Sequence, residues 1–153
     1  MPRFTYTSLI DAPVDRVFAF HESPDALERL TPPWQPARVL HKDAGLKPGS
    51  RVVLEVPLGP FTKKWIALHV KYEKNRLFVD EQIEGPFRRW VHHHRFETVG
   101  KQTRLIDDID FSLPGGPLVD FFGAWVARLQ LRRLFRYRHA ATQLSLSKRI
   151  DTH

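Results

Sequence analysis

Three consecutive histidines lie between two aromatic residues in "RRWVHHHRFE", residues 88–97. In an extended strand successive side chains alternate between faces. Trp90, His92, His94 and Phe96 therefore share one face, and Val91, His93 and Arg95 the other. Two imidazoles at that spacing can do two kinds of chemistry. They can chelate a metal, with Asp80, Asp107 or His69 completing a set that would suit zinc or iron. Next to a carboxylate in an apolar setting, they can instead act as a general base and its orienting partner. His92, His94 and Asp107 are the candidates for that role, and His93 is expected at the surface. The chain has no cysteine, which excludes thiolate nucleophiles and zinc–thiolate sites. It also has no helical HExxH, nucleophile elbow or phosphate loop, and neither Ser23 nor Ser112 has a recognisable triad setting.

The elements that must position these groups follow from periodicity. "FTYTSLI" (4–10) alternates as a strand does. Two short helices are predicted after it. The first has Asp11 near a cap position, Pro13 in the first turn, and Val14, Val17 and Phe18 at helical spacing. The second has Ser23 as N-cap, Pro24 at its first position, Leu27 and Leu30 on one face, and Pro32-Pro33 as the stop. Six strand-like segments come next, at about 36–42, 50–57, 62–72, 76–84, 89–98 and 103–112. The links between them are short and rich in Gly, Pro and Asn, which implies an antiparallel meander. After "LPGGP" (113–117) the pattern turns helical and runs to about Leu146. One stripe of that helix, Leu118, Phe122, Trp125, Val126 and Leu129, is expected to lie on the sheet and to continue through Arg133, Tyr137 and Ala140. Leu131, Leu134 and Phe135 form a second patch nearly opposite. The resulting α+β architecture is a seven-stranded curved antiparallel sheet wrapped around a long C-terminal helix, with two short helices after strand 1. Such a sheet leaves a hollow wherever helix side chains do not fill its concavity.

Composition sets the outer bounds. The 153 residues suit a single domain, 1–153, with a real core. The first ten residues contain no apolar signal core, and no apolar run approaches the roughly 18 residues of a membrane span. Together with the lack of cysteine, this points to a cytoplasmic protein. The net charge of +7 is localised. Between Phe121 and Ile150 there is no acidic residue, but there are seven basic ones: Arg128, Arg132, Arg133, Arg136, Arg138, Lys148 and Arg149. The other 17 basic residues face 17 acidic ones. Phe135 and Tyr137 among the arginines superficially fit a nucleic-acid surface. No nucleic-acid motif accompanies them, so a solvated face is expected and nucleic acid is not. The second apolar patch is open to three readings, packing on the short helices, a bend or an interface, and a homodimer is compatible with the last.

The pieces "IDAPVDRVFAFHESPDALERLTPPW" (10–34), "LFVDEQIEGPFRRWVHHHRF" (77–96), "TRLIDDIDFSLPGG" (103–116) and "LFRYRH" (134–139), with the element order, carry a resemblance covering nearly the whole chain. The chain resembles the helix-grip fold of the START-like superfamily, also called SRPBCC, and within it a small bacterial stand-alone branch. That superfamily includes lipid-transfer domains, polyketide cyclases/aromatases and plant hormone receptors. The resemblance implies a cavity for a small hydrophobic ligand between the sheet and the last helix, without naming the ligand. It also bears on which side chains point inward. In "LFVDEQIEG", apolarity alone favours Leu77, Val79, Glu81 and Ile83 as core, whereas the family pattern F-x-D-x-Q puts Phe78, Asp80 and Gln82 in the cavity. Leu105, Asp107, Ile109 and Phe111 form the apolar face of their strand and are expected inward. The implied cavity holds Asp80, Gln82, His92, His94 and Asp107, with His69 nearby. Its expected walls are Trp65, Phe78, Trp90, Phe96, Phe111, Phe122 and Trp125. Arg133 or Tyr137 would stand at its mouth. Domains of this superfamily rarely use metals, so no metal and no cofactor are expected. A carrier or sensor is favoured over the alternative, a cyclase/dehydratase-like enzyme using His/Asp acid–base chemistry in the same cavity.

Overall fold

The sheet begins with its turns. Gly59, Asn75 and Gly100 take positive φ (60°, 63° and 60°) at the tips of three hairpins, where a left-handed residue matches the twist of the flanking strands. In the computed structural model, which describes residues 2–151, the elements are β1 (Arg3–Ile10), α1 (Val14–Glu22), α2 (Ala26–Leu30), β2 (Arg38–Lys42), β3 (Arg51–Leu58), β4 (Phe61–Glu73), β5 (Leu77–Glu84), β6 (Arg89–Val99), β7 (Gln102–Ser112) and α3 (Pro117–Asp151). Strands β2 to β7 form a meander, and β1 joins β7 antiparallel to give one seven-stranded sheet, β1-β7-β6-β5-β4-β3-β2. Register shifts in β4 between Ile66 and Ala67 and between His69 and Lys71 bend the sheet, since an unpaired residue increases local twist. No helix among the described residues is long and apolar enough to cross a membrane.

Two apolar cores form. One gathers Val17, Phe18 and Phe20 of α1 with Phe78, Phe96, Leu105 and Leu146, Phe18 meeting Phe96 edge-on at 5.0 Å. The other joins Phe4, Trp90, Ile109 and Phe111 of the sheet to Ala124, Leu131 and Phe135 of α3.

The face that α3 buries differs from the expected one. Phe122 and Trp125 are 68% and 67% exposed, and Leu118, Val126 and Leu129 are exposed too, whereas Phe135 is 1% exposed and Leu131 is buried. The inward stripe runs through Ala124, Leu131, Phe135, His139, Thr142 and Leu146. Small residues at its start explain the choice, because they let the helix approach closely. A Cβ on Gly123 would fall 2.6 Å from Leu113 Cδ1, so a larger residue there would require the Leu113 side chain to move. The larger side chains of the other stripe are left outside. Arg133 and Tyr137 do not reach the cavity mouth either. The Arg133 guanidinium lies 4.3 Å over the Trp34 ring, and Tyr137 meets the same ring edge-on at 5.2 Å. Arg128 donates from Nε to the Arg3 carbonyl. Arg128 and Arg133 of α3 therefore serve separate contacts. The side chains of Lys148 and Arg149 lie outside the described residues.

The predicted caps shift as well. Pro13 occupies the N-cap of α1, which has no side-chain cap, while the Asp11 backbone N–H donates to Gln143 Oε1 of α3. Ser23 closes α1 instead of opening α2, its hydroxyl donating to the Phe20 carbonyl at 2.6 Å.

The reversed helix face gives a direct test. Leu131→Ala is expected to destabilise by about 2 kcal/mol, the low end for a buried leucine because it already borders a hollow. Leu129→Ala should stay within about 0.5 kcal/mol. Urea unfolding of the two variants checks the pair, and a reversed order would restore the expected face.

Candidate functional site

The strand register assembles the site. Asp80 of β5 stands opposite His92 of β6, and Phe78 opposite His94. His94 stands opposite Asp107 of β7, and Asp107 opposite Tyr6 of β1. The short hydrogen bonds run along the diagonals of this grid, where same-face neighbours are still within reach of long side chains. His94 Nε2–H donates to Asp80 Oδ2 at 2.7 Å, and His92 Nε2–H to Asp107 Oδ1 at 2.7 Å. The second nitrogen of His94, Nδ1, lies 3.3 Å from Asp107 Oδ1. From α3, His139 Nε2–H donates to Asp107 Oδ2 at 2.6 Å, and His139 Nδ1 accepts from the Ser8 hydroxyl of β1. Three imidazoles thus converge on one carboxylate. The rings stack in a column, Phe78 on His94 at 3.9 Å and His94 on His92 at 3.6 Å.

Burial and these bonds split the titrations. Burial would raise Asp107, but N–H donation from His139, His92 and His94 outweighs it and holds the carboxyl well below its ordinary range. Asp80 follows the same logic, its burial outweighed by His94, and falls to about 2. Burial pulls His94 down, but a carboxylate at each nitrogen wins and raises it above the ordinary imidazole value. Burial dominates at His92, reinforced by the neighbouring His94, and lowers it. A carboxylate oxygen at each ring nitrogen thus favours the protonated form of His94, while burial favours the neutral form of His92.

This cluster is one wall of a partly open cavity of about 280 Å³. His21, His69 and Arg138 add to its polar part, and Val52, Leu54, Val56, Trp65, Phe87, Trp90 and Leu131 to its apolar part. Of the predicted residues, Trp65, His69, Phe78, Asp80, Trp90, His92, His94 and Asp107 line the cavity. The structure takes the F-x-D pair inward, against apolarity alone. Gln82 does not follow them. Its side chain donates to the Phe87 carbonyl at 2.7 Å and accepts the Phe87 N–H at 3.1 Å, which closes the turn between β5 and β6. Gly85 is packed against it so tightly that a Cβ there would fall 2.3 Å from Gln82 Oε1. Phe96 and Phe111 belong to the two solid cores, and Phe122 and Trp125 are exposed. His93 is half-buried on the opposite sheet face, facing Val79 and Asp108 in register.

Sequence reasoning missed His139, Arg138, His21 and Ser8. The signal for His139 was present, since it extends the Leu131–Phe135 patch by one helical turn. For a metal, Asp80, His92 and His94 each offer one ligand atom within 4.8 Å of the others. An ion there would compete with the hydrogen bonds these groups already make, His94 to Asp80 and His92 to Asp107.

Residues 10–135 match the family model described as polyketide cyclase/dehydrase and lipid transport. The chain belongs to this family. Solved structures agree on the fold of this polyketide cyclase-like protein. The Zhui aromatase/cyclase from Streptomyces sp. R1128 superposes with a TM-score of 0.74 at 16% identity, over 97% of this chain and 94% of that one. The di-domain ARO/CYC StfQ from the steffimycin biosynthetic pathway gives a TM-score of 0.74 at 12% identity, over 98% of this chain and 52% of its own. A nucleoside-diphosphate sugar epimerase from Corynebacterium glutamicum gives 0.77 at 24% identity, over 97% of this chain but only 30% of its own. At these identities the likeness is one of fold, and it establishes the helix-grip architecture. No functionally curated protein matches the chain.

Proposed function

We propose that this polyketide cyclase-like protein binds a small, largely hydrophobic molecule in the cavity, as a carrier or sensor. The observation that carries this reading is the cavity itself, about 280 Å³ walled by valine, leucine and tryptophan with one polar cluster. Sites that hold small molecules pair a mostly apolar lining with a few fixed polar groups, from roughly 300 Å³ upward. The family description, which joins cyclase/dehydrase to lipid transport, supports the same ligand class. Native mass spectrometry of gently purified protein is expected to show a bound mass of a few hundred daltons. Leu54→Trp, which places an indole into the hollow, should abolish that mass with little change in thermal stability. An apo mass under every mild condition, together with no binding of apolar probes, would remove the proposal.

A second reading has a specific observation in its favour. His94 and His92 stack on each other with pKa values moved in opposite directions, the kind of split that separates an acid from a base in one site. Cyclisation or dehydration of a polyketide-like substrate, with activity lost in His94→Ala while the variant still retains a cavity ligand, would establish the enzyme over the carrier.

A further inference from the structure

Arg138 projects from α3 into the cavity, next to His139 in sequence. Its Nε is buried and finds no hydrogen-bond partner among the described residues. The carboxylates that could have served it are already engaged: Asp80 with His94, and Asp107 with His92, His94 and His139. What supports the guanidinium is the Phe135 ring, 5.2 Å beneath it, which steadies a planar cation but accepts no conventional hydrogen bond. A buried guanidinium N–H left unsatisfied is costly, and most such groups in folded proteins are matched by an acceptor. Burial lowers the Arg138 pKa, and only the distant pull of Asp107 and Asp80 opposes it; the group nevertheless stays a cation, since guanidinium does not lose its proton in proteins. With His94 protonated, the charges of Asp80, Asp107, His94 and Arg138 sum to zero. The donor left open in this balanced cluster is the arginine's.

We infer that the molecule held in the cavity carries a carboxylate, received by the Arg138 guanidinium while its apolar body lies against Trp65, Trp90 and Leu54. Guanidinium suits a carboxylate because its fork of N–H groups matches the two oxygens. This assignment rests on the reading of the cavity as a hydrophobic-ligand site and names the chemistry of its ligand. It also transfers the role first sought at Arg133, five residues earlier on α3 and occupied with Trp34.

The test uses two matched probes, naphthalene-2-carboxylate and naphthalene-2-methanol, titrated by calorimetry and by tryptophan fluorescence. Wild-type protein is expected to bind the carboxylate at least about tenfold more tightly, the scale of one hydrogen bond to a charged group. Arg138→Met should bring the two probes to equal affinity. Arg138→Lys should retain part of the preference. Equal affinities in the wild type, tighter binding of the alcohol, or a preference that survives Arg138→Met would overturn the inference and leave the cavity reading standing. Binding of neither probe would remove both. The wild-type ratio decides even if a variant fails to fold.

Discussion

Asp107→Asn is expected to be among the most damaging single substitutions in this protein, lowering stability by about 3–5 kcal/mol. At this chain length that corresponds to a fall in melting temperature of roughly 10 °C. The asparagine is nearly isosteric, so the loss would come from hydrogen-bond direction and charge. The aspartate accepts at both oxygens, from His92 and His94 on one side and His139 on the other. An asparagine amide turns one of those acceptors into a donor. Whichever way it is rotated, an N–H group then faces an imidazole N–H in a buried site, and at least one histidine must change tautomer or lose its partner. The charge matters as much, because the protonated His94 would keep only Asp80 as counterion. A surface pair gives the control: Glu97 and Arg104 are half exposed at 2.9 Å, and Glu97→Gln should cost less than about 1 kcal/mol. Thermal melts of the two variants decide. If Asp107→Asn melted within a degree or two of the wild type, the convergence of three imidazoles would not be holding β1, β6, β7 and α3 together.

The position of Asp107 also shows what the sequence could and could not reveal. Period-two alternation put His92 and His94 on one face and Asp107 among the inward residues of its own strand, and both placements agree with the register. The strands were legible for the same reason: their hydrophobic alternation and their turns are local signals. Alternation cannot say which of two faces is concave when both carry apolar residues. In β5, Leu77, Val79 and Phe78 are all buried, so only the family pattern singled out Phe78 and Asp80. The helix was harder still. Its first four turns carry large apolar residues on the side that stays exposed and small ones on the side that packs. Ranking stripes by hydrophobic bulk therefore chose the wrong face, and the error hid Arg138 and His139, which complete the site from the other stripe. Close packing rewards fit over size, and the fit at Gly123 against Leu113 is a contact 10 residues apart in sequence whose geometry only the folded chain reveals.

Stability should fall as the pH drops from 7 to 5, and His21 should be the largest single cause. His21 borders the cavity among the rings of Phe20, Phe78 and Phe96, with Nδ1–H donating to the Val17 carbonyl at 2.9 Å. Burial outweighs that bond and pushes its pKa down to about 4. In the unfolded chain a histidine titrates near 6.5. Between those values the unfolded state takes up a proton that the folded state refuses, so each step down in pH favours unfolding. By pH 5 the penalty from His21 alone is roughly 2 kcal/mol. Burial lowers His69 and His92 too, and both add to the loss in the same window. His94 works in the opposite sense. Its raised pKa contributes stability that is fully present below the unfolded value and is lost as the pH climbs through the folded one, so it offsets part of the decline. Asp80 and Asp107, whose folded pKa values are depressed, hold their contributions above the ordinary carboxylate range and lose them only as the pH falls below it. The expected profile is a gradual loss from pH 7 to 5 and a steeper one under pH 4. His21→Leu takes away the imidazole that resists protonation most strongly, and its melting temperature should vary with pH by several degrees less than the wild type's over that first window. Parallel curves for the two proteins would mean that His21 accepts its proton in the folded state, and that this edge of the cavity is open to water.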